Sequence, residues 1–378
     1  MTPFHWTVTP GTEWPPRATL KPPFSLTRVE IARSCPLRVV FEVSKQYEPQ
    51  ISFDARIGTA MHETLEHFTK HPPKELGDEL LETVRARFRQ ELQRQREEAD
   101  RFPRERGKPE NQQRIDAATA ALLSMIQGLG QARPGGGGAP APETRPDGLD
   151  FPVQVEERVT SRDGLFTGRV DRAVRDEAGL TLFDYKSSML SDVPERYARQ
   201  LQMYTEMWAD TFGERPGHAF VVYPLTGRQY PVDVTPEVTA GAMAESRRAV
   251  RRLLAQTPAE ELATPGDVCK VCTFKPWCEP FWKWTAAGGR ILEAQNRSLL
   301  GFQGRVTEAG RQKDNLVLKI VWHPQSVATL IAPWGQFPHL QDLAEGVTVR
   351  VLGARLQGQV RSPRAVATAW TEVFVVPS

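Results

Sequence analysis

The sequence predicts a mixed α/β domain, a sheet flanked by helices, followed by a small β-barrel. Three observations carry that expectation. Between about residues 25 and 255, helical patterns give way to paired strand patterns, then a helix, two more strands and a last helix, an order that suits helices packed on a mixed sheet. From about residue 297 the pattern changes to a series of short strand-like runs. The stretch RPGGGGAPAPETRP, 133–146, has the composition of a flexible linker or exposed loop and separates the first helices from the strands.

Taken in order, SLTRVEIARSCPLRVVFEVSK (25–45) reads as a helix running into Cys35-Pro36, and GTAMHETLEHFTK (58–70) carries Met61, Leu65 and Phe68 at helical spacing. Residues 74–130 are charged and helix-favouring, with most charges expected on a solvated face. A strand, VQVEERVT, precedes the hairpin GRVDRAVRDEAGLTLFDYKSS (168–188), whose two alternating runs flank the turn-like DEAG. SDVPERYARQLQMYTEMW begins with Asp192 three residues before Glu195, a capping-box-like helix start. Two strands are expected over 218–234 and a basic amphipathic helix over 236–255. The tail offers GFQGRVTEAG, NLVLKIVW, SVATLIAP, VTVRVLGARL and WTEVFVV as strands, with a helix at FPHLQDLAEG between the third and fourth. Five strands with a helix in that place resemble an OB-fold barrel, a common binder of single-stranded nucleic acid. A barrel that only packs on its neighbour would have the same pattern.

At 378 residues the chain can bury a sizeable core, and 40% hydrophobic and 25% charged residues are ordinary for a globular protein. The start, MTPFHWTVTPGTEWPP, has no apolar signal-like region, and no run of eighteen apolar residues occurs, so a cytoplasmic protein without a membrane partner is expected. A net charge of +2 does not by itself argue for nucleic acid, although residues 290–378 carry ten Lys/Arg against six Asp/Glu.

The hairpin poses a charge problem. A turn centred on Glu177 and Ala178 gives an antiparallel register in which residue numbers sum to 355, setting Asp171 opposite Asp184. Like charges facing each other destabilise a ladder. Lys186 stands two residues beyond Asp184, on the same strand face. A divalent cation, Mg²⁺ or Mn²⁺, resolves the repulsion, because carboxylate oxygens are its preferred ligands. Such an ion polarises a phosphoryl oxygen and activates water. By itself an Asp-x-Lys triplet reads as a surface ion pair.

The ordered pattern Asp171…Asp184-x-Lys186 resembles the core motif of the PD-(D/E)XK nuclease superfamily, which implies a restriction-endonuclease-like core. The resemblance extends to the RecB-like branch. Its upstream Gly-x3-His motif matches Gly58 to His62, implying that His62 ligates the metal with Asp171 and Asp184, although His62 alone would read as a helix-surface histidine. Its Gln-x3-Tyr motif matches Gln200 and Tyr204, which share a helix face at i,i+4 spacing and are implied to line the catalytic site with Lys186. Tyr197, Leu201, Tyr204 and Trp208 also form a plain core stripe. Glu156 is a weaker acidic candidate.

The four cysteines fall as Cys35, then Cys269, Cys272 and Cys278. The C-x2-C-x5-C trio has metal-ligand spacing, and spacing leaves zinc and a [4Fe–4S] cluster both open. One upstream and three downstream cysteines resemble the iron–sulfur staple of AddB-like and CRISPR-adaptation nucleases and of exonuclease V, which implies the cluster. Such a staple closes a long loop and ties both ends of the domain together. Trp277, Phe281, Trp282 and Trp284 crowd the last cysteine and are expected to shield the cluster, with stacking on nucleic-acid bases as the alternative.

The expected organisation is thus a nuclease domain over 20–288 and an OB-like domain over 297–378. The expected activity is metal-dependent hydrolysis of DNA, as a single-strand exonuclease in repair, recombination or phage defence. No P-loop is present in the sequence, so a helicase partner would have to supply any unwinding. The competing readings are a catalytically inactive nuclease-like subunit that binds single-stranded DNA, and a zinc-stapled interaction module in a repair or defence complex.

Overall fold

The computed structural model describes residues 14, 16, 18–47, 51–71, 73–74, 77–101, 105, 109–131, 153–176, 179–186, 190–255, 257–286, 292–293, 298–299, 301–323, 326–357, 364–368 and 371–376. The linker over 133–146, the turn residues Glu177 and Ala178, and the side chain of Glu156 lie outside them.

Ser25 caps the first helix by accepting from the Arg28 amide. The helix expected to run into Cys35-Pro36 ends there, and 25–45 holds two helices, α1 (Leu26–Ser34) and α2 (Pro36–Ser44), broken at Cys35. Pro36 cannot donate a helical hydrogen bond and disfavours helical backbone in the residue before it, so Cys35 is extended at φ −156°. The break leaves the Cys35 thiol at a junction. Helices α3 (Phe53–Lys70), α4 (Gly77–Asp100) and α5 (Gln112–Gln131) follow and bury a core of their own, including Ile57, Met61, Val84, Phe88 and Leu122. Not every charge there is solvated. Arg96 is buried beneath Asp100 and the Glu105 carbonyl, with its guanidinium 4.7 Å from the Phe53 ring centroid.

The first sheet comprises β1 (Phe24–Ser25), β2 (Val153–Thr160), β3 (Phe166–Asp176), β4 (Gly179–Tyr185), β5 (His218–Tyr223) and β6 (Arg228–Pro231). Its path is β1-β3-β4-β5-β6, with β2 on the other edge of β3. The β1/β3 and β4/β5 pairs are parallel and the others antiparallel, as the mixed sheet requires. Helices α6 (Glu195–Phe212) and α7 (Pro236–Leu254), with α1 and α2, close one face over Leu180, Leu182, Leu201, Trp208 and Val221. The expected capping box at Asp192 does not form. Pro194 precedes the first helical residue, no side chain caps the end, and Glu195 pairs with Arg199 at 2.7 Å instead. Short α8 (Ala259–Leu262), two 3₁₀ turns and α9 (Glu279–Ala286) complete this part.

The second sheet holds β7 (Leu292–Glu293), β8 (Ser298–Leu299), β9 (Phe302–Gln312), β10 (Asn315–His323), β11 (Ser326–Pro333), β12 (Thr348–Leu352), β13 (Arg355–Gln357), β14 (Arg364–Val366) and β15 (Glu372–Val376). Its order is β15-β12-β9-β10-β11-β14-β13-β8-β7, with β14 parallel to β11. Consecutive strands β14 and β15 sit on opposite sides of the β12-β9-β10-β11 block, yet only residues 367–371 join them. So short a connection reaches at most about 20 Å, so the sheet must curl into a partial barrel. Two details depart from expectation. The segment at FPHLQDLAEG makes only a 3₁₀ turn, Pro338–Leu340, which suffices because i,i+3 spacing lets Phe337 and Leu340 both be buried. The run VTVRVLGARL breaks into β12 and β13 at Gly353, which takes φ +67°.

The two sheets meet beside the cysteines. Phe281 and Trp282 are buried against Cys269, Leu352 and Phe374, so they are packing groups and leave no ring face for a base. Arg350, 2% exposed, donates to the Pro276 carbonyl at 2.6 Å and Gln303 at 2.7 Å, and pairs with Glu279. No described helix is long and apolar enough to cross a membrane.

Candidate active site

The hairpin forms in the expected register, with Arg172 opposite Phe183 and Asp176 opposite Gly179. The ladder stops at Arg172–Phe183, one pair before the two aspartates would face each other. On the same edge of β3, β1 takes over only at Phe166 and Thr167. Residues 168–171 are therefore bonded to β2 on one side and have no described strand partner on the other. The Asp171 carboxylate fills part of the break by accepting the Tyr185 amide at 2.7 Å. A side chain thus replaces the missing ladder acceptor, and β4 continues towards β5 through the bond from the Lys186 amide to the Val222 carbonyl.

Asp184 is 1% exposed. Its Oδ2 is ion-paired with Lys186 Nζ at 2.7 Å and has no further hydrogen-bond partner among the described residues. Burial, opposed by the Lys186 charge and reinforced by that of Asp171, pushes the carboxyl up to about 6. His62 stands on the exposed face of α3, close enough to pull the same carboxyl down. It borders a small hollow with Met61, Leu65, Met125 and Tyr185.

Lys186 is fixed from three sides. Besides Asp184, its ammonium donates to Gln200 Oε1 at 2.9 Å and lies 4.8 Å from the Tyr197 ring centroid. Burial pulls its proton affinity down, but Asp184 and Asp171 outweigh that and hold it above the ordinary value, so the group stays charged. Gln200 Nε2 donates to the Tyr204 hydroxyl at 3.2 Å, which fixes which end of the amide faces the lysine. Burial, and then the two aspartates, raise the Tyr204 hydroxyl, so it remains a neutral phenol. Tyr204 is 5% exposed, and with Leu201 and Trp208 it also belongs to the core.

The residues present suit a hard divalent cation. A buried carboxylate held by the Lys186 ammonium, beside a second carboxylate and near enough to an imidazole to feel its charge, is an oxygen-rich donor set. Among the described residues, no three His, Cys, Asp or Glu side chains stand close enough to hold an ion without rearranging.

The cysteines come together from both ends of the domain. Cys35 at the α1–α2 junction and Cys269, Cys272 and Cys278 around the 3₁₀ turns line one pocket with Leu37, Arg38, Phe41 and Phe281. All four are free thiols. Burial, with smaller contributions from neighbouring thiols, raises Cys269, Cys272 and Cys278 above the usual thiol range. Thiolates there would need a cationic centre among them, and four sulfur donors are of the chemical class that a thiophilic metal group takes.

Sequence reasoning did not identify two participants. The Tyr185 amide carries no side-chain signal. Gly168 does carry one, since a lone glycine inside a strand pattern marks close backbone approach.

Residues 23–279 match the model of the PD-(D/E)XK nuclease superfamily. The chain belongs to that superfamily. No curated protein matches it. Three solved structures are similar over parts of the chain. The tetrameric p202 HIN2 has 15% identity over 22% of this chain and 44% of its own, at TM-score 0.19. SSO0001 has 17% identity over 59% and 95%, at TM-score 0.25. A murine DNA binding protein bound with ds DNA has 9% identity over 60% and 97%, at TM-score 0.19. At those TM-scores none of the three bears on fold or function. Superfamily membership makes the protein a nuclease by type, and members typically use divalent metals.

Proposed function

We propose that this nuclease is a Mg²⁺- or Mn²⁺-dependent deoxyribonuclease of the RecB-like iron–sulfur branch, hydrolysing single-stranded DNA from an end. The observation that carries the reading is the break in the β3 ladder, around which Asp171, Asp184 and Lys186 gather, with the Asp184 carboxylate buried and ion-paired to the lysine.

Asp171, Asp184 and His62 would hold the divalent ion. When bound, it supplies Lewis-acid polarisation of a phosphoryl oxygen and lowers the pKa of water. The remaining chemistry belongs to the chain. Lys186, kept charged by the two aspartates, presents its ammonium where negative charge grows on the phosphate. Gln200 holds that ammonium on one heading, and Tyr204 holds Gln200. Because all three side chains are packed before substrate arrives, little reorganisation is needed during reaction.

Cys35, Cys269, Cys272 and Cys278 would hold a [4Fe–4S] cluster whose role is structural, tying the α1–α2 junction to the loop before α9. The curled C-terminal sheet is an OB-like platform for single-stranded DNA, and its excess of basic residues suits that partner. Digestion of DNA with Mg²⁺, Mn²⁺ or EDTA, compared with Asp184→Ala, tests the reading. Metal-dependent hydrolysis lost in the variant is expected. Unimpaired hydrolysis by the variant would remove the chemistry from this hairpin, and binding without hydrolysis by the native chain would favour an inactive single-strand-binding subunit.

A further inference from the structure

Gly168, in the broken stretch of β3, lies against the ring of Tyr204. A methyl group built on its α-carbon would collide with Tyr204 Cε1 and come within 3.3 Å of both Cζ and the hydroxyl oxygen. Backbone conformation does not demand glycine here, because Gly168 is not among the residues with positive φ. It pairs in regular register with Val159 of β2, so an alanine could adopt the backbone. Only the space is forbidden.

The ring cannot move aside freely. It is 5% exposed in the core, and its hydroxyl is held by Gln200 Nε2 and by a hydrogen bond with the Arg169 backbone. From the hydroxyl a continuous chain runs through Gln200 to Lys186 Nζ. A displaced ring would shift Gln200, and the lysine would lose the acceptor that fixes its heading.

We infer that Gly168 is a positioning residue, the missing side chain that seats Tyr204 against β3 and so sets Lys186 at the catalytic centre. The inference rests on the nuclease reading of the hairpin. It assigns a role to a residue that touches neither substrate nor metal.

The test uses the full chain as Gly168→Ala, Tyr204→Leu and the double variant, with two readouts. Leucine lacks the atoms that the new methyl would strike. In DNA hydrolysis, Gly168→Ala should lower kcat by about 100-fold, the scale of an ångström-sized misplacement of a catalytic group, with KM changed less than about threefold. In the Tyr204→Leu background the same substitution should change nothing further. Equal loss in both backgrounds, or an unchanged kcat, would overturn the inference. The second readout needs no activity. Lysines are reductively methylated with ¹³C, and the Lys186 signal is assigned by its absence in Lys186→Arg. Gly168→Ala should move that signal, and an unmoved signal would overturn the inference. If the native chain cuts no DNA, the nuclease reading fails while the ¹³C arm still decides the role of Gly168.

Discussion

Replacing Asp184 with asparagine should make the metal-free protein more stable while removing its activity. The carboxyl rises from 3.8 to about 6, chiefly through burial, even with Lys186 beside it. A raised carboxyl contributes stability that is fully present below about pH 4 and lost as pH rises through 6. At about 1.4 kcal/mol per unit, metal-free protein at pH 8 carries a destabilisation of at most about 3 kcal/mol. Asparagine has nearly the same shape and no charge to desolvate. For a chain of this size the gain corresponds to a Tm increase of roughly 5 °C. Thermal unfolding in EDTA should show the variant above the native protein at pH 8 and the two converging near pH 4. Added Mg²⁺ should raise the native Tm by mass action and leave the variant nearly unchanged. A variant less stable than the native protein at pH 8 in EDTA, or a difference independent of pH, would refute the desolvation argument.

Three further outcomes are expected. Cys35→Ser should abolish the visible absorbance near 400 nm of anaerobically prepared protein and expose the α1–α2 junction to proteolysis, whereas a colourless native protein holding zinc would rule out the cluster. Arg350→Met should destabilise the contact between the sheets by about 3 kcal/mol, the low end for breaking a buried pair because Glu279 stays a third exposed, measured by denaturation and by cleavage between the sheets. Lys186→Ala should lower kcat by about 100-fold or more and leave DNA affinity unchanged, read from single-turnover hydrolysis and a separate binding assay.

The hairpin was legible because strand alternation and a turn fix register, and numbers summing to 355 describe the ladder as found. Sequence could not show that the ladder ends at Arg172–Phe183, since that depends on where β1 and β5 draw the strands apart. The Gln200–Tyr204 pair was legible from helical spacing alone, whereas its link to Lys186 needed the helix docked on the sheet. Cysteine convergence was expected from the motif, and the Cys35-Pro36 dipeptide marked where the first helix stops, while the second helix that resumes at Pro36 had no separate signal. The buried contact of Arg350 had no signal in the strand VTVRVLGARL, because its partners lie 71 and 74 residues upstream. The barrel strands were legible by alternation, but a Gly353 in left-handed conformation divided the fourth.

The central claim is that the Asp171–Asp184–Lys186 hairpin cuts single-stranded DNA with a divalent metal. The most direct measurement follows end-labelled single-stranded and duplex DNA in Mg²⁺, Mn²⁺ or EDTA, with native protein beside the folded Asp184→Asn variant. Metal-dependent shortening of single strands by the native protein, absent in a variant that still binds them, is the expected result. Cutting by Asp184→Asn at the native rate, or native protein that binds single strands and never shortens them, would contradict the account.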